Sequence, residues 1–319
     1  MATAEQIKSL VKAYADDDNE RFKTIVLQIA AHEAKLGHDN LARDLKKNVE
    51  KIGTKRANIV QLTTINPMLT MSIPSHDISE LIVSEEITNK IQRILNEYRN
   101  RNKLMSYGLT NRRKILIEGS PGTGKTLTAS IIASELSLPL YIVQMDKIVT
   151  KFMGETSAKL RQIFESMETT IGVYLFDEFD AIGADRSLDN EVGEMRRILN
   201  SFLQFIEQDV SESIIIAATN NQKLLDQALF RRFDDVLHYM LPTTIEIKRL
   251  FEYKIKTFDK QFIVSKEVLK FAEGLSHAEI ARVCDDAIKN SILNDESITN
   301  EMMLGLLKER HSVYLCKEA

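Results

Sequence analysis

Two cysteines, Cys284 and Cys316, are all that 319 residues hold, and they stand far apart in no Cys-x-x-Cys spacing. Neither a disulfide framework nor a cysteine zinc site is encoded, and both read as reduced thiols, Cys284 in a core. No apolar run approaches the ~20 residues of a bilayer-crossing helix. The start, Met-Ala-Thr-Ala-Glu, lacks the basic region and apolar stretch of a secretion signal, which predicts a cytoplasmic protein without membrane insertion. Positive charge is not in excess. A formal net charge of −4 argues against a chain built to coat nucleic acid. A zinc-protease signature is missing too, since Leu36 stands where His32-Glu33 would need a second histidine. There is no internal repeat. What remains is an ordinary soluble composition, 44% hydrophobic and 28% charged, long enough for two or three domains at about 150 residues each.

The first ~55 residues carry helical periodicity and no strand signal. Ile7, Leu10, Val11 and Tyr14 share one face; after Asp16-Asp17-Asp18-Asn19 a second stripe runs through Phe22, Ile25, Ile29 and Leu36 to Gly37; a third holds Leu41, Leu45, Val49 and Ile52 before Gly53. This predicts a three-helix domain over 1–58, whose basic residues Arg43, Lys46, Lys47, Lys51, Lys55 and Arg56 read as a solvated face, with a contact surface for an acidic partner as the alternative. Pro67 and Pro74 break the pattern, giving a linker over 59–79 with one short strand. Apolar β-rich runs then alternate with helical ones: 114–118, a helix through Leu136, 140–143, 173–176 and 214–218. That order predicts an α/β domain over 80–241, a parallel sheet with helices on both faces. From 242 to 319 only helical patterns follow (245–257, 265–273, 276–292 and 298–309), a small helical domain.

Gly119-Ser120-Pro121-Gly122-Thr123-Gly124-Lys125-Thr126 fits GxxxxGK[ST] between an expected strand and an expected helix, the context that gives the motif meaning. Glycines let backbone N–H groups wrap phosphate oxygens at the helix start, Lys125 reaches the β- and γ-phosphates, and the Thr126 hydroxyl holds Mg²⁺. Some fifty residues on, Val173-Tyr174-Leu175-Phe176-Asp177-Glu178 is a buried strand ending in two carboxylates. Asp177 is assigned to the metal and Glu178 to activating the attacking water. No Asn-Lys-x-Asp guanine signature occurs, so ATP is favoured over GTP.

With both nucleotide motifs placed, residues 77–310 resemble the AAA ATPases, in particular the single-ring group of katanin and spastin. The resemblance implies an ATP-hydrolysing, Mg²⁺-dependent P-loop enzyme that forms a ring, hexameric by expectation. Ala217-Ala218-Thr219-Asn220 resembles the first sensor, so Asn220 would position the water with Glu178. The run 225–234 resembles the segment of the arginine fingers, which implies that Arg231 and Arg232 reach a neighbouring subunit's site. Gly274-Leu275-Ser276-His277-Ala278-Glu279-Ile280 resembles the Gly-x-Ser-Gly-Ala-Asp stretch that brings Ala278 to the nucleotide; His277 takes a glycine's place, which puts close backbone approach in question, and receives no role. Lys151-Phe152-Met153-Gly154-Glu155 is similar to the pore loop in which Phe152 and Met153 would grip an extended polypeptide. A second pore-facing loop would span 184–191, ahead of a helix bearing Arg196 and Arg197.

The N-terminal bundle matches the size and pattern of the microtubule-interacting-and-transport domain but has no motif that would transfer its function, and reads as a recruitment module. The leading expectation is a motor that remodels or threads a protein substrate. An ATP-switched scaffold regulating a separate effector, a protease or nuclease, is the first alternative, and a nucleic-acid motor or loader, less favoured, the second.

Overall fold

The computed structural model describes residues 25–27, 29–30, 66–148, 153–179, 189–220 and 230–315, with side chains at 153–154, 189–197 and 313–315 left aside. The chain divides into two compact units, Met1–Thr63 and Thr64–Ala319. In the first, residues 25–27 and 29–30 are helical, with Ile25, Val26 and Ala30 buried. The remainder of the expected three-helix bundle lies outside the described residues, as does Cys316.

In the second unit six strands form one sheet: β1 (Leu69–Ser72), β2 (Lys114–Gly119), β3 (Leu140–Val143), β4 (Val173–Phe176), β5 (Ile214–Thr219) and β6 (Asp235–Tyr239), in the spatial order β1-β3-β4-β5-β2-β6. All neighbours pair parallel except β1, which runs antiparallel to β3 along the edge. The stretch 59–79 thus supplies β1 to the main sheet. A 3-10 turn at Ile78–Glu80, held by a capping box between Asp77 and Glu80, straddles the end of that stretch.

Two layers of helix cover the sheet because strand side chains alternate between faces. On one face Leu116, Tyr174, Phe176, Ile215 and Ala217 pack against α5 (Met153–Thr169) and α6 (Asp189–Gln208) through Leu160, Phe164, Phe202 and Ile206. On the other, Ile115, Ile117, Leu175, Ile216 and Leu237 meet α1 (Glu85–Arg99) and α3 (Lys125–Glu135) through Ile91, Ile94, Ala129 and Ile132. Short helices α2 (Arg101–Ser106) and α4 (Met145–Ile148) complete this part.

Helices α7 (Thr244–Lys256), α8 (Lys266–Ala272), α9 (His277–Asn294) and α10 (Asn300–Leu315) build a separate core around Phe251, Val268, Ile280, Cys284 and Leu307. Their starts were written locally: capping boxes Thr243/Glu246 and Ser276/Glu279 open α7 and α9, and Ser265 caps α8. Cys284 is fully buried, as expected, and burial pushes its thiol up to about 12.

Candidate nucleotide site

The glycine-rich loop leaves β2 at Gly119, whose strand neighbour in register is Tyr239 of β6. A Cβ at 119 would stand 2.3 Å from the Tyr239 carbonyl oxygen, so only glycine lets the strand turn into the loop there. At Gly122 (φ +75°) an added Cβ would meet Ser276 Oγ at 2.6 Å and Ala278 Cβ at 3.1 Å. The small helical domain therefore rests directly on the loop, tied by Ala278 N–H donating to the Gly122 carbonyl at 2.9 Å. The backbone next to His277 thus reaches hydrogen-bonding distance of the phosphate loop.

Within the loop the Thr123 hydroxyl donates to the Ser120 carbonyl at 2.7 Å, while Pro121 and Gly122 are exposed at its tip. Lys125 is buried, and its ammonium donates to Gly119 O (2.8 Å), Ser120 O (2.9 Å) and Asn220 Oδ1 (2.7 Å). An ammonium has three donors, and these contacts aim it at the centre of the loop from the ends of β2 and β5. Thr126 Oγ1 donates to Asp177 Oδ2 at 2.6 Å, although 51 residues separate them. The parallel register brings them together, because β2 and β4 flank β5 and end on the same sheet edge.

Asp177 Oδ1 accepts the Glu178 N–H at 2.9 Å, and Glu178, exposed, sits at φ +50°. A non-glycine residue in that region costs on the order of 1–3 kcal/mol and is found where function fixes it. Here the bend directs two successive carboxylates differently, one onto Thr126 and one outward. The Thr126 hydroxyl with the Asp177 carboxylate is a pair of hard oxygens suited to Mg²⁺, which usually takes one or two protein oxygens and fills its other positions with phosphate and water.

These residues line a cleft of about 600 Å³. It is also walled by His277 of α9 and by residues that no motif announced: Leu81 and Ile82 ahead of α1, Leu250 and Tyr253 of α7, and Ala281 of α9. Helical or extended periodicity gives no signal for such a wall, because it forms only when the two lobes pack. Both ring nitrogens of His277 are buried without a hydrogen-bond partner. Burial pulls its pKa below the usual histidine value, against the Glu246 carboxylate and the nearby Ile82 backbone, which does not reach hydrogen-bond geometry.

Arg231 and Arg232 precede β6 on the opposite edge of the sheet. Ile115 pairs with Asp235 and Gly119 with Tyr239, so the arginines lie beyond the end of a stretch of four residues, about 13 Å at ~3.3 Å each, from the phosphate loop. Arg232 forms an ion pair with Glu207 of α6. Arg231 is exposed and has no ion pair or hydrogen bond among the described residues. Phe152, the run 221–229 and positions 180–188 lie outside the described residues. Met153, Gly154 and Glu155, read as loop, form the first turn of α5. Asp189 and Asn190, at the end of the expected second loop, begin α6, the helix of Arg196 and Arg197.

A parallel sheet with a glycine-rich phosphate loop at its strand ends, capped by a helical lobe seated on that loop, defines a P-loop nucleotide-binding protein. Comparison with known proteins narrows the class. The model of the ATPase family associated with various cellular activities (AAA) matches residues 115–241. The "Uncharacterized AAA family ATPase y4kL" of Sinorhizobium fredii is 35% identical over 302 residues, 92% of this chain and 90% of that protein. The proteasome-activating nucleotidase of Methanopyrus kandleri is 34% identical over 201 residues, 60% of this chain and 46% of that protein. The FIGL-1 AAA domain shares the fold, with a TM-score of 0.59 at 18% identity over 75% of this chain and 85% of that one. The chain belongs to the AAA family and is an ATP-binding ATPase. Among the described residues no helix is long and apolar enough to cross a membrane.

Proposed function

We propose that this ATPase works as a ring, six subunits by expectation, that remodels or threads a protein substrate in the cytoplasm. The observation that carries the reading is the placement of Arg231. No arginine is among the described residues lining the cleft, whereas Arg231 is exposed on the far sheet edge and has no ion pair or hydrogen bond among the described residues. Charge on a transferring phosphoryl group needs cationic donors, and this placement favours Arg231 as a donor to another subunit's cleft. Arg232, tied to Glu207, would orient that surface or join the finger once the pair opens.

In this reading the loop Ser120–Thr126 and Ala278 hold ATP. Thr126 and Asp177 hold Mg²⁺, which supplies charge neutralisation at the phosphates. Glu178 takes the proton of the attacking water that Asn220 helps to place, and a phosphate oxygen replaces Asn220 in the grip of Lys125. Phe152 and Met153 face the channel of the ring. Residues 1–58 recruit the substrate, 59–79 join them to the large domain 80–241 through β1, and 242–319 form the small domain. A protein substrate is favoured by the likeness to a nucleotidase named as proteasome-activating and by the −4 net charge, which suits nucleic acid poorly.

Subunit mixing tests the shared site. Arg231→Ala and Lys125→Ala chains, each inactive alone, should recover a fraction of turnover when combined, because a mixed interface pairs an intact cleft with an intact finger. Full activity of Arg231→Ala as a dilute monomer would overturn the ring reading.

A further inference from the structure

His277 is, among the described residues lining the cleft, the one whose buried polar atoms are left unpaired. It stands on the first turn of α9, whose second residue, Ala278, is fixed to the phosphate loop by its bond to Gly122. Across from it runs the segment Leu81–Ile82, with Leu81 packed on the core of the sheet and Ile82 on the core of the small domain. With the phosphates on Gly122–Thr126, the wall formed by Leu81, Ile82 and His277 is left for the nucleoside part of ATP.

A neutral imidazole carries one N–H donor and one nitrogen lone pair. The edge of adenine carries a 6-amino donor beside ring-nitrogen acceptors. Where the resembling stretch has glycine there is no side chain to read that edge, and here there is one. We infer that His277 is a specificity-determining residue of the nucleotide site, its imidazole accepting a hydrogen bond from the 6-amino group of bound adenine. The surroundings favour that role. Burial favours the neutral form of the ring, and the Ser276/Glu279 capping box fixes the turn that carries it. The inference rests on the cleft being the ATP site, as proposed above.

A two-by-two cycle on the full chain tests it, with binding read by calorimetry for ADP and for purine riboside 5′-diphosphate, which lacks the 6-amino group. The wild-type chain should bind ADP about 10-fold more tightly than the deaminated analogue, the order of one hydrogen bond. His277→Ala should lose that preference and bind the two alike, the cycle isolating the pair. His277→Phe, which keeps a ring and removes the nitrogens, should behave like His277→Ala and covers the case in which the smaller side chain fails to fold. His277→Gln, which restores an acceptor, should recover part of the preference. Lys125→Ala should weaken both ligands equally and leave their ratio unchanged. A preference for ADP that survives in His277→Ala or His277→Phe overturns the inference while the site assignment stands. Undiminished ADP binding by Lys125→Ala overturns the site assignment, and the role of His277 with it.

Discussion

Replacing one hydrogen by a methyl group at Gly119 should disable this ATPase, and the structure says by how much. The added Cβ would lie 2.3 Å from the Tyr239 carbonyl oxygen and 2.6 Å from Tyr239 Cβ. Ordinary carbon–oxygen contacts begin near ~3.3 Å, so the two strands must part by about 1 Å. Tyr239 cannot yield cheaply: it is buried, paired in the ladder with Gly119, and its hydroxyl is hydrogen-bonded to Thr128 of α3. Overpacking of that kind costs about 1–3 kcal/mol, which for a unit of this size lowers the melting temperature by roughly 2–12 °C. The second consequence is chemical. The Gly119 carbonyl accepts from Lys125, and a shift of about 1 Å in the phosphate loop is enough to cut turnover on the order of 100-fold. Gly305→Ala is the matched control. An added Cβ there meets nothing within 4 Å, the position is exposed inside α10, and glycine in a helix interior is less stable than alanine by roughly 0.5–1 kcal/mol. Calorimetric melting and steady-state ATPase, measured on both variants, should move in opposite directions for stability and only in Gly119→Ala for turnover. A Gly119→Ala protein with wild-type melting and turnover would refute the claim that this close approach seats the loop.

Glu178→Gln should bind ATP normally and hydrolyse it at least ~100-fold more slowly, the order expected for losing a general base; near-normal turnover removes Glu178 from that role. On the ring reading, the same variant held in its ATP state is also the reagent for affinity capture of a partner bound through residues 1–58. Phe152→Ala should keep basal ATPase while substrate-stimulated ATPase falls steeply, whereas a lowered melting temperature with parallel loss of activity would place Phe152 in a core instead. In a Cys316→Ser background, a thiol reagent at pH 8 should leave Cys284 unmodified in the native protein, since a thiol pushed up to about 12 is almost wholly protonated there and the thiolate is the reactive form; rapid native labelling would contradict its burial.

Local chemistry made much of this protein legible in one dimension. The phosphate loop and the Asp177-Glu178 strand end each lie within a few consecutive residues, so type and spacing suffice to find them. Strands 140–143 and 173–176 were readable for the same reason: both faces are covered, and nearly every side chain is apolar. β6 was harder, because Asp235 and His238 break its apolar run. The strand is defined by pairing with β2, not by its own pattern. β1 is a short edge strand in a proline-bounded stretch, and only its ladder with β3 separates it from a linker.

What tertiary structure alone decided is the set of distances between elements far apart in sequence. In one dimension Thr126 and Asp177 read as two oxygens for one metal ion, and the shared sheet edge makes them touch. The sequence named Arg231 and Arg232 as a pair, and packing against α6 distinguishes them by giving Arg232 a partner in Glu207. Tolerance of His277 in a glycine's place was likewise invisible in the sequence, because the close approach to Gly122 runs through the next residue, Ala278. The imidazole could then turn toward the cleft. Periodicity reports which face of an element is apolar. Only the packing of one lobe on the other determines what that face, or the end of a helix beside it, is brought to meet.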